Sequence, residues 1–454
     1  MDGPRSTVVR GGLAVAVGVV LADSSVVVLA LPEIYRELDV SVSAVTWVLV
    51  AFNLVLALAA VPAAMATTRV GAARLTLAGL ALFAAASLVC GLADQIAVLI
   101  AARCVQAVGG AMAVCAALEL LPSVSGSERV AARTWAAAGA AGAALGPGVG
   151  GLLTELISWQ SIFLVQVPVA LAAGAPLFAR ARGEVAPPTG GRAGRPHLAA
   201  NAALGLVSAA LAAALFLVVL LLIEGWRLSP IEAAAAVTVM PLCALAAAPL
   251  SHRVEDARAR AAAGVILIAG GLGSLGLLPD ASVVLTLPPQ ALVGVGLALT
   301  LSALTEAALE GRSPQAIHGG WTIAARHAGV VAGLLVLTPV FTADLETERD
   351  QAERAGVAAL LDSQLPPSTL FGLSARIVER IEEEGERVPQ LGPAFEPLPS
   401  DPEERAETLS LRTQIEDEVD AAATHAFSDS FLISAAFAVA ALLPIAISRR
   451  RIEL

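Results

Sequence analysis

Two ionisable residues sit where hydrocarbon should surround them, and they are the side chains best placed to do chemistry. Asp23 falls inside the apolar run of residues 11–31, and Arg103 inside that of residues 97–121. A charge at bilayer depth costs roughly 2.5 to 3.5 kcal/mol on insertion scales, so each asks for a function. At about 1.5 Å per residue, Asp23 lies about 18 Å into the first run and Arg103 about 9 Å into the fourth. Because the two runs cross in opposite directions, these depths coincide. A carboxyl group that hydrocarbon and a guanidinium pull in opposite directions is suited to taking up and releasing a proton. A permanent structural ion pair is the other reading of the same two residues.

A second polar cluster falls in the second half of the chain. Glu306 is expected near the inner end of one run and Arg326 about seven residues into the next, with His318, Trp321 and His327 on the same helix. A pair between Glu306 and Arg326, serving as an inner gate or substrate contact, is expected against the alternative of side chains snorkelling to headgroups. Asn53, Gln106 and Gln166 are candidates for neutral polar cavity lining, and Glu119 is a weaker one close to the inner boundary.

Enzymatic constellations are not found. Gly271-Leu-Gly273-Ser-Leu-Gly276 has dinucleotide-loop spacing but lies within an apolar run, with no strand before it, and reads as small-residue helix packing. There is no phosphate-binding loop of the ATPase type, so uphill work would draw on an ion gradient. Cys90, Cys104, Cys115 and Cys243 lie inside apolar runs without metal-ligand spacing and read as small buried hydrophobes. No metal, cofactor or nucleic acid is expected.

The elements that must position these residues are set by composition. The chain of 454 residues is 57% hydrophobic and 15% charged, with a mean hydropathy of +0.78, against about 25% charged in soluble domains. Runs of about 20 apolar residues recur twelve times, six on each side of a linker at 180–198, and predict an all-α integral membrane protein. The bundles would cover residues 1–179 and 199–454. Arginines mark every second connection, including Arg5, Arg69, Arg129, Arg253, Arg312 and Arg449, which places both termini in the cytoplasm. Asp94, Glu155, Glu224 and Asp280 then mark the outer connections.

The net charge of −11 is local: residues 343–425 hold 20 acidic and 7 basic residues. This outer segment, before the last span, reads as two helices, 345–361 and 402–423, around a middle broken by prolines. It is either a solvated loop or a surface for an extracytoplasmic partner.

One further stretch organises the first half. Gly139, Gly142, Gly146, Gly148, Gly150 and Gly151 surround Pro147 in the fifth run. Such a helix survives in lipid, where small residues let a neighbouring backbone approach and proline supplies a bend. We read it as a close-packed seam between the two bundles.

Four stretches resemble the major facilitator superfamily, and within it the drug:proton antiporter branch that usually has fourteen helices. Leu21-Ala-Asp23 through Pro32 resembles the first-helix motif, and Arg103-Cys-Val-Gln106-Ala-Val-Gly109 is similar to the fourth-helix motif. Gly142 through Gly151 resembles the fifth-helix antiporter motif, followed by Trp159 through Pro168, and Arg326-His-Ala-Gly329 stands where the penultimate helix has a recurrent Arg and Gly. The resemblance implies two six-helix bundles around a central cavity, alternating access, and Asp23 and Arg103 as the proton-coupling pair. Two departures matter. Thr68 stands where the cytoplasmic gate motif has an Asp before Arg69 and Gly71, although Arg253, Glu255 and Asp256 keep acid and base in the second half. Only twelve spans are found.

The expected function is proton-coupled export of amphipathic small molecules, with membrane lipids as surroundings. With 4% aromatic residues and one tyrosine, an exporter of a specific lipid, natural product or metabolite fits nearly as well as a broad cationic-drug pump. A degenerate transporter acting as a receptor through its acidic segment is the reading from another class.

Overall fold

The computed structural model describes residues 4–183, 194–251, 253–279, 281–309, 312–384 and 391–447. Most of the linker, together with Asp280 and Arg449, lies outside them.

Twelve helices among the described residues are long and apolar enough to cross a membrane. We number the principal helices α1 Pro4–Val28, α2 Val42–Val70, α3 Ala72–Gly91, α4 Ile96–Ser125, α5 Glu128–Leu156, α6 Ser161–Gly183, α7 Leu198–Leu220, α8 Pro230–Pro249, α9 Ala257–Leu275, α10 Val283–Leu309 and α11 Gln315–Asp362. They continue with α12 Pro367–Glu384, α13 Pro402–His425 and α14 Ser428–Ala440. All but α12 and α13 are spans, so the described ends of the chain share one face, called the terminal face below.

Turn chemistry fixes the connections. Ser41 caps α2 by accepting from the Ala44 amide, and Gly71, at φ 98°, makes the corner into α3, where an L side chain would be strained. Asp256 caps α9 by accepting from the Arg258 amide. A capping box between Ser229 and Glu232 starts α8.

The two halves repeat one packing scheme. In the first, α1 packs on α5 and α3 on α4; in the second, α7 packs on α11 and α9 on α10. Glycines mark the crossings. A Cβ built on Gly142 would strike the Gly18 carbonyl, and one on Gly329 would strike the Gly205 carbonyl. A shift of 187 residues carries Gly18, Gly142 and Gly146 onto Gly205, Gly329 and Gly333. In lipid, where apolar surface gains little from helix association, such close backbone approach supplies the packing energy.

The acidic segment differs from expectation. Span α11 runs on without a break to Asp362, and the proline-bounded middle holds α12, where loop was expected. Pro367 opens that helix, a position where its missing N–H costs nothing. Leu365, Leu373, Ile377, Leu391, Phe395, Leu411 and Ile415 form a separate apolar core between α12, α13 and the end of α11. Three amphipathic pieces that bury one another need no membrane, which explains how so acidic a segment folds.

Candidate functional site

Asp23 on α1 and Arg103 on α4 meet inside the first bundle, and neither has any exposed surface. Arg103 Nη1 donates to Asp23 Oδ2 at 2.5 Å and to Gln106 Oε1 at 2.6 Å. Its Nε donates to the Val48 carbonyl at 3.3 Å, and its Cζ lies 4.0 Å from the Phe52 ring centre, in cation–π contact. The i,i+3 spacing of Arg103 and Gln106 puts both on one helix face.

The other carboxylate oxygen accepts from Gln166 Nε2 at 3.0 Å and Gln106 Nε2 at 3.3 Å. Gln106 Nε2 also faces Ser87 Oγ at 2.8 Å and Gln166 Oε1 at 3.0 Å, three acceptors for two hydrogens. Five helices, α1 to α4 and α6, therefore contribute to one closed polar cluster, α2 through the Val48 carbonyl. A carboxylate oxygen accepts, and Arg103, Gln106 and Gln166 each donate to Asp23. Arg103 Nη2 is left buried without a partner, a spare donor beside the pair. Ser87, Val48 and Phe52 were missed by sequence reading. A hydroxyl that bonds its own helix, here the Phe83 carbonyl, leaves little trace in a sequence.

The bundles touch at three levels. At mid-depth Asn53 Oδ1 on α2 lies 2.6 Å from His327 Nδ1 on α11. On the face away from the termini, Arg36, in the short helix Leu31–Glu37, donates to Glu224 at the end of α7. A Cβ on Gly151 of α5 would strike Ala234 of α8 on that same side. Toward the terminal face, the Glu119 carboxylate accepts from the Ala316 amide at 3.0 Å, at the start of α11, and Gly320 packs against Ala60 and Ala64 of α2. Contacts thus close the interface on both sides of the Asn53 and His327 pair.

Several expectations are corrected. Glu306 does not pair with Arg326: it accepts from Arg260 Nη2 at 2.9 Å. Glu306 and Arg260 lie within about a turn of the terminal ends of adjacent helices, whereas Arg326 is eleven residues, or about 16 Å, into α11. Trp321 is 41% exposed and shares a stripe with Ala328 and Leu335, so it faces outward rather than into a cavity. The glycine seam is mostly internal to one bundle. Gly142, Gly146 and Gly150, spaced by four residues, face Gly18, Ser25 and Val26 of α1, and Gly151 reaches the other bundle. Pro147 lies within a helix that continues unbroken through it.

The expected cytoplasmic gate residues sit at the terminal face. Arg69, Arg253, Glu255 and Asp256 are exposed, and Asp256 serves as the α9 cap. Thr68, where the motif's acid is lost, bonds the Met65 carbonyl of its own helix.

Twelve spans in two pseudo-repeated bundles, with a buried acid–base pair in the first, define a membrane transporter rather than an enzyme. Residues 13–359 match the family model of the Major Facilitator Superfamily, and the chain belongs to that family. The methylenomycin A resistance protein of Bacillus subtilis (strain 168) is 36% identical over 177 residues, 38% of each chain. The tetracenomycin C resistance and export protein of Streptomyces glaucescens is 36% identical over 182 residues, 38% of this chain and 34% of that one. The multidrug efflux pump LfrA of Mycolicibacterium smegmatis is 35% identical over 170 residues, covering 37% and 34%. The matches thus span little more than a third of these relatives' lengths. Among solved structures, an inward-facing bacterial homologue of the human lysosomal transporter Spinster aligns over 98% of this chain and 99% of its own, with a TM-score of 0.60 at 16% identity. The Escherichia coli xylose transporter XylE aligns over 73% and 90%, with a TM-score of 0.56 at 11% identity. Both share the fold.

Proposed function

We propose that this protein is a proton-coupled exporter of small amphipathic molecules, working by alternating access between its two bundles. Asp23 carries the proton and Arg103 is its counter-charge. The observation that carries this reading is the complete burial of Asp23 against a guanidinium and two amides. Protonating Asp23 would turn one accepting oxygen into a donor, which requires Arg103 to withdraw or an amide to flip. That rearrangement links proton occupancy to the packing of α1, α4 and α6. Because α1 packs on α5, and α5 on α8 of the other bundle, it is communicated to the bundle interface.

Export as the direction of transport is supported by resistance and efflux relatives and by the glycine-rich α5. Arginine placement supports cytoplasmic termini, with 180–198 as the linker between bundles on that side. The test is substrate-dependent proton movement in everted vesicles carrying the wild type, Asp23→Asn or Asp23→Glu. Retained coupling in Asp23→Asn would sink the proposal. A second reading, recognition of an extracytoplasmic partner through residues 343–425, is favoured by that segment's own core and by Phe371, 79% exposed on it. Deleting residues 346–420 separates the two: unchanged flux leaves transport independent of the segment.

A further inference from the structure

The arginines inside the two bundles do not all find a carboxylate. Asp23 is met by Arg103, and Glu306 by Arg260, each within hydrogen-bond distance. Arg326 has no such partner: no carboxylate among the described residues lies within ion-pair distance of it, and its Nε is buried without an acceptor. It sits about 16 Å along α11 from the terminal face, next to the His327 that reaches across to Asn53. Yet the side chain keeps part of its accessible surface, unlike Arg103, so solvent reaches it.

We propose that Arg326 anchors the transported molecule by receiving its carboxylate or another single oxyanion, which makes the substrates weak organic acids rather than lipophilic cations. This rests on the exporter reading above and specifies its substrate class. A guanidinium with free donors matches the two oxygens of a carboxylate in a bidentate pair. A lipophilic cation in the same place would meet a desolvated like charge, with Asp23 already committed to Arg103. Beside it, His327 is already bonded to Asn53, whose amide donates to the Leu49 carbonyl, and neither residue is a carboxylate that could pair with Arg326.

The test is equilibrium dialysis of the purified protein with three probes that share a naphthyl group: naphthoate, naphthamide and naphthylmethyl-trimethylammonium. No proton gradient is present, so the result is independent of coupling through Asp23. Naphthoate is expected to bind about tenfold or more tighter than the other two, a difference of about 1.4 kcal/mol. In Arg326→Gln that preference disappears, and in Arg326→Lys, which keeps the charge but not the planar fork, most of it remains. Gel filtration and a melting curve establish that each variant is folded, and if Arg326→Gln is not, the wild-type probe order and Arg326→Lys decide. Equal or tighter binding of the ammonium probe, an undiminished preference in Arg326→Gln, or binding of none of the three would overturn the proposal. Full displacement of naphthoate by chloride alone would overturn it too, by making Arg326 an inorganic-anion site.

Discussion

Arg36 and Glu224, 188 positions apart in sequence, meet at 2.5 Å on the face away from the termini and tie the first bundle to the second. Glu224 belongs to the wide helical turn Leu221–Gly225 that ends α7. The next two residues hold the acidic segment: Trp226 Nε1 donates to Thr424 Oγ1 and Arg227 Nη2 to Asp420 Oδ1, both at 2.9 Å. One turn therefore joins the bundle interface to α13.

Glu224→Gln weakens this clamp and leaves the fold intact. Half-exposed ion pairs contribute about 0.2 to 1 kcal/mol, so the population open on that face should rise by up to about fivefold. Spin labels at Leu92 and Leu277, both well exposed there, would show a larger long-distance fraction. An unchanged distribution would mean that the clamp does not control opening.

Glu119 is the counterpart at the terminal face. Its carboxylate sits at the positive end of the α11 dipole, an interaction of about 0.3 to 1 kcal/mol besides the hydrogen bond. Glu119→Ala should shift labels at Arg69 and Arg253 apart while leaving the pair on the other face unmoved. Equal movement on both faces would argue for general loosening.

The glycines of α5 separate into three classes. At Gly142 and Gly150 an added methyl meets backbone carbonyls of α1, which cannot yield without moving the helix. Gly142→Ala and Gly150→Ala should each cost roughly 1 to 3 kcal/mol of stability. Gly148→Ala, with Thr238 Oγ1 at 3.7 Å, should be neutral in thermal stability. Gly151→Ala presses on α8 and should alter transport more than stability. A common effect at all four positions would dissolve the distinction.

Much of this was readable in the chain, for reasons of membrane physics. Hydrocarbon makes each span an apolar run, and it makes Asp23 and Arg103 conspicuous at matching depth. Gln106 follows from sharing a helix face with Arg103. The bundle contacts were not readable, because Arg36, Glu224 and Glu119 lie at helix ends, where charges are ordinary. Glu306 was mispaired because depth was inferred from run boundaries, and α11 begins nearer the terminal face than its position suggested. The helix α12 was hidden by prolines at its borders, which cap a helix as readily as they break one. The direction of the glycine face depended on α1, whose rotation no single sequence states.

Proton coupling as proposed rests on Asp23. Removing one member of a buried ion pair costs about 3 to 5 kcal/mol, so Asp23→Asn is to be compared with Asp23→Asn combined with Arg103→Gln, which leaves no orphaned charge. Proton flux per substrate transported, measured in proteoliposomes with an internal pH dye, is the direct reading. The account predicts that both variants insert, bind substrate and equilibrate it without moving protons, while Asp23→Glu keeps partial coupling. Substrate-driven proton flux at the wild-type ratio in the double variant would contradict it.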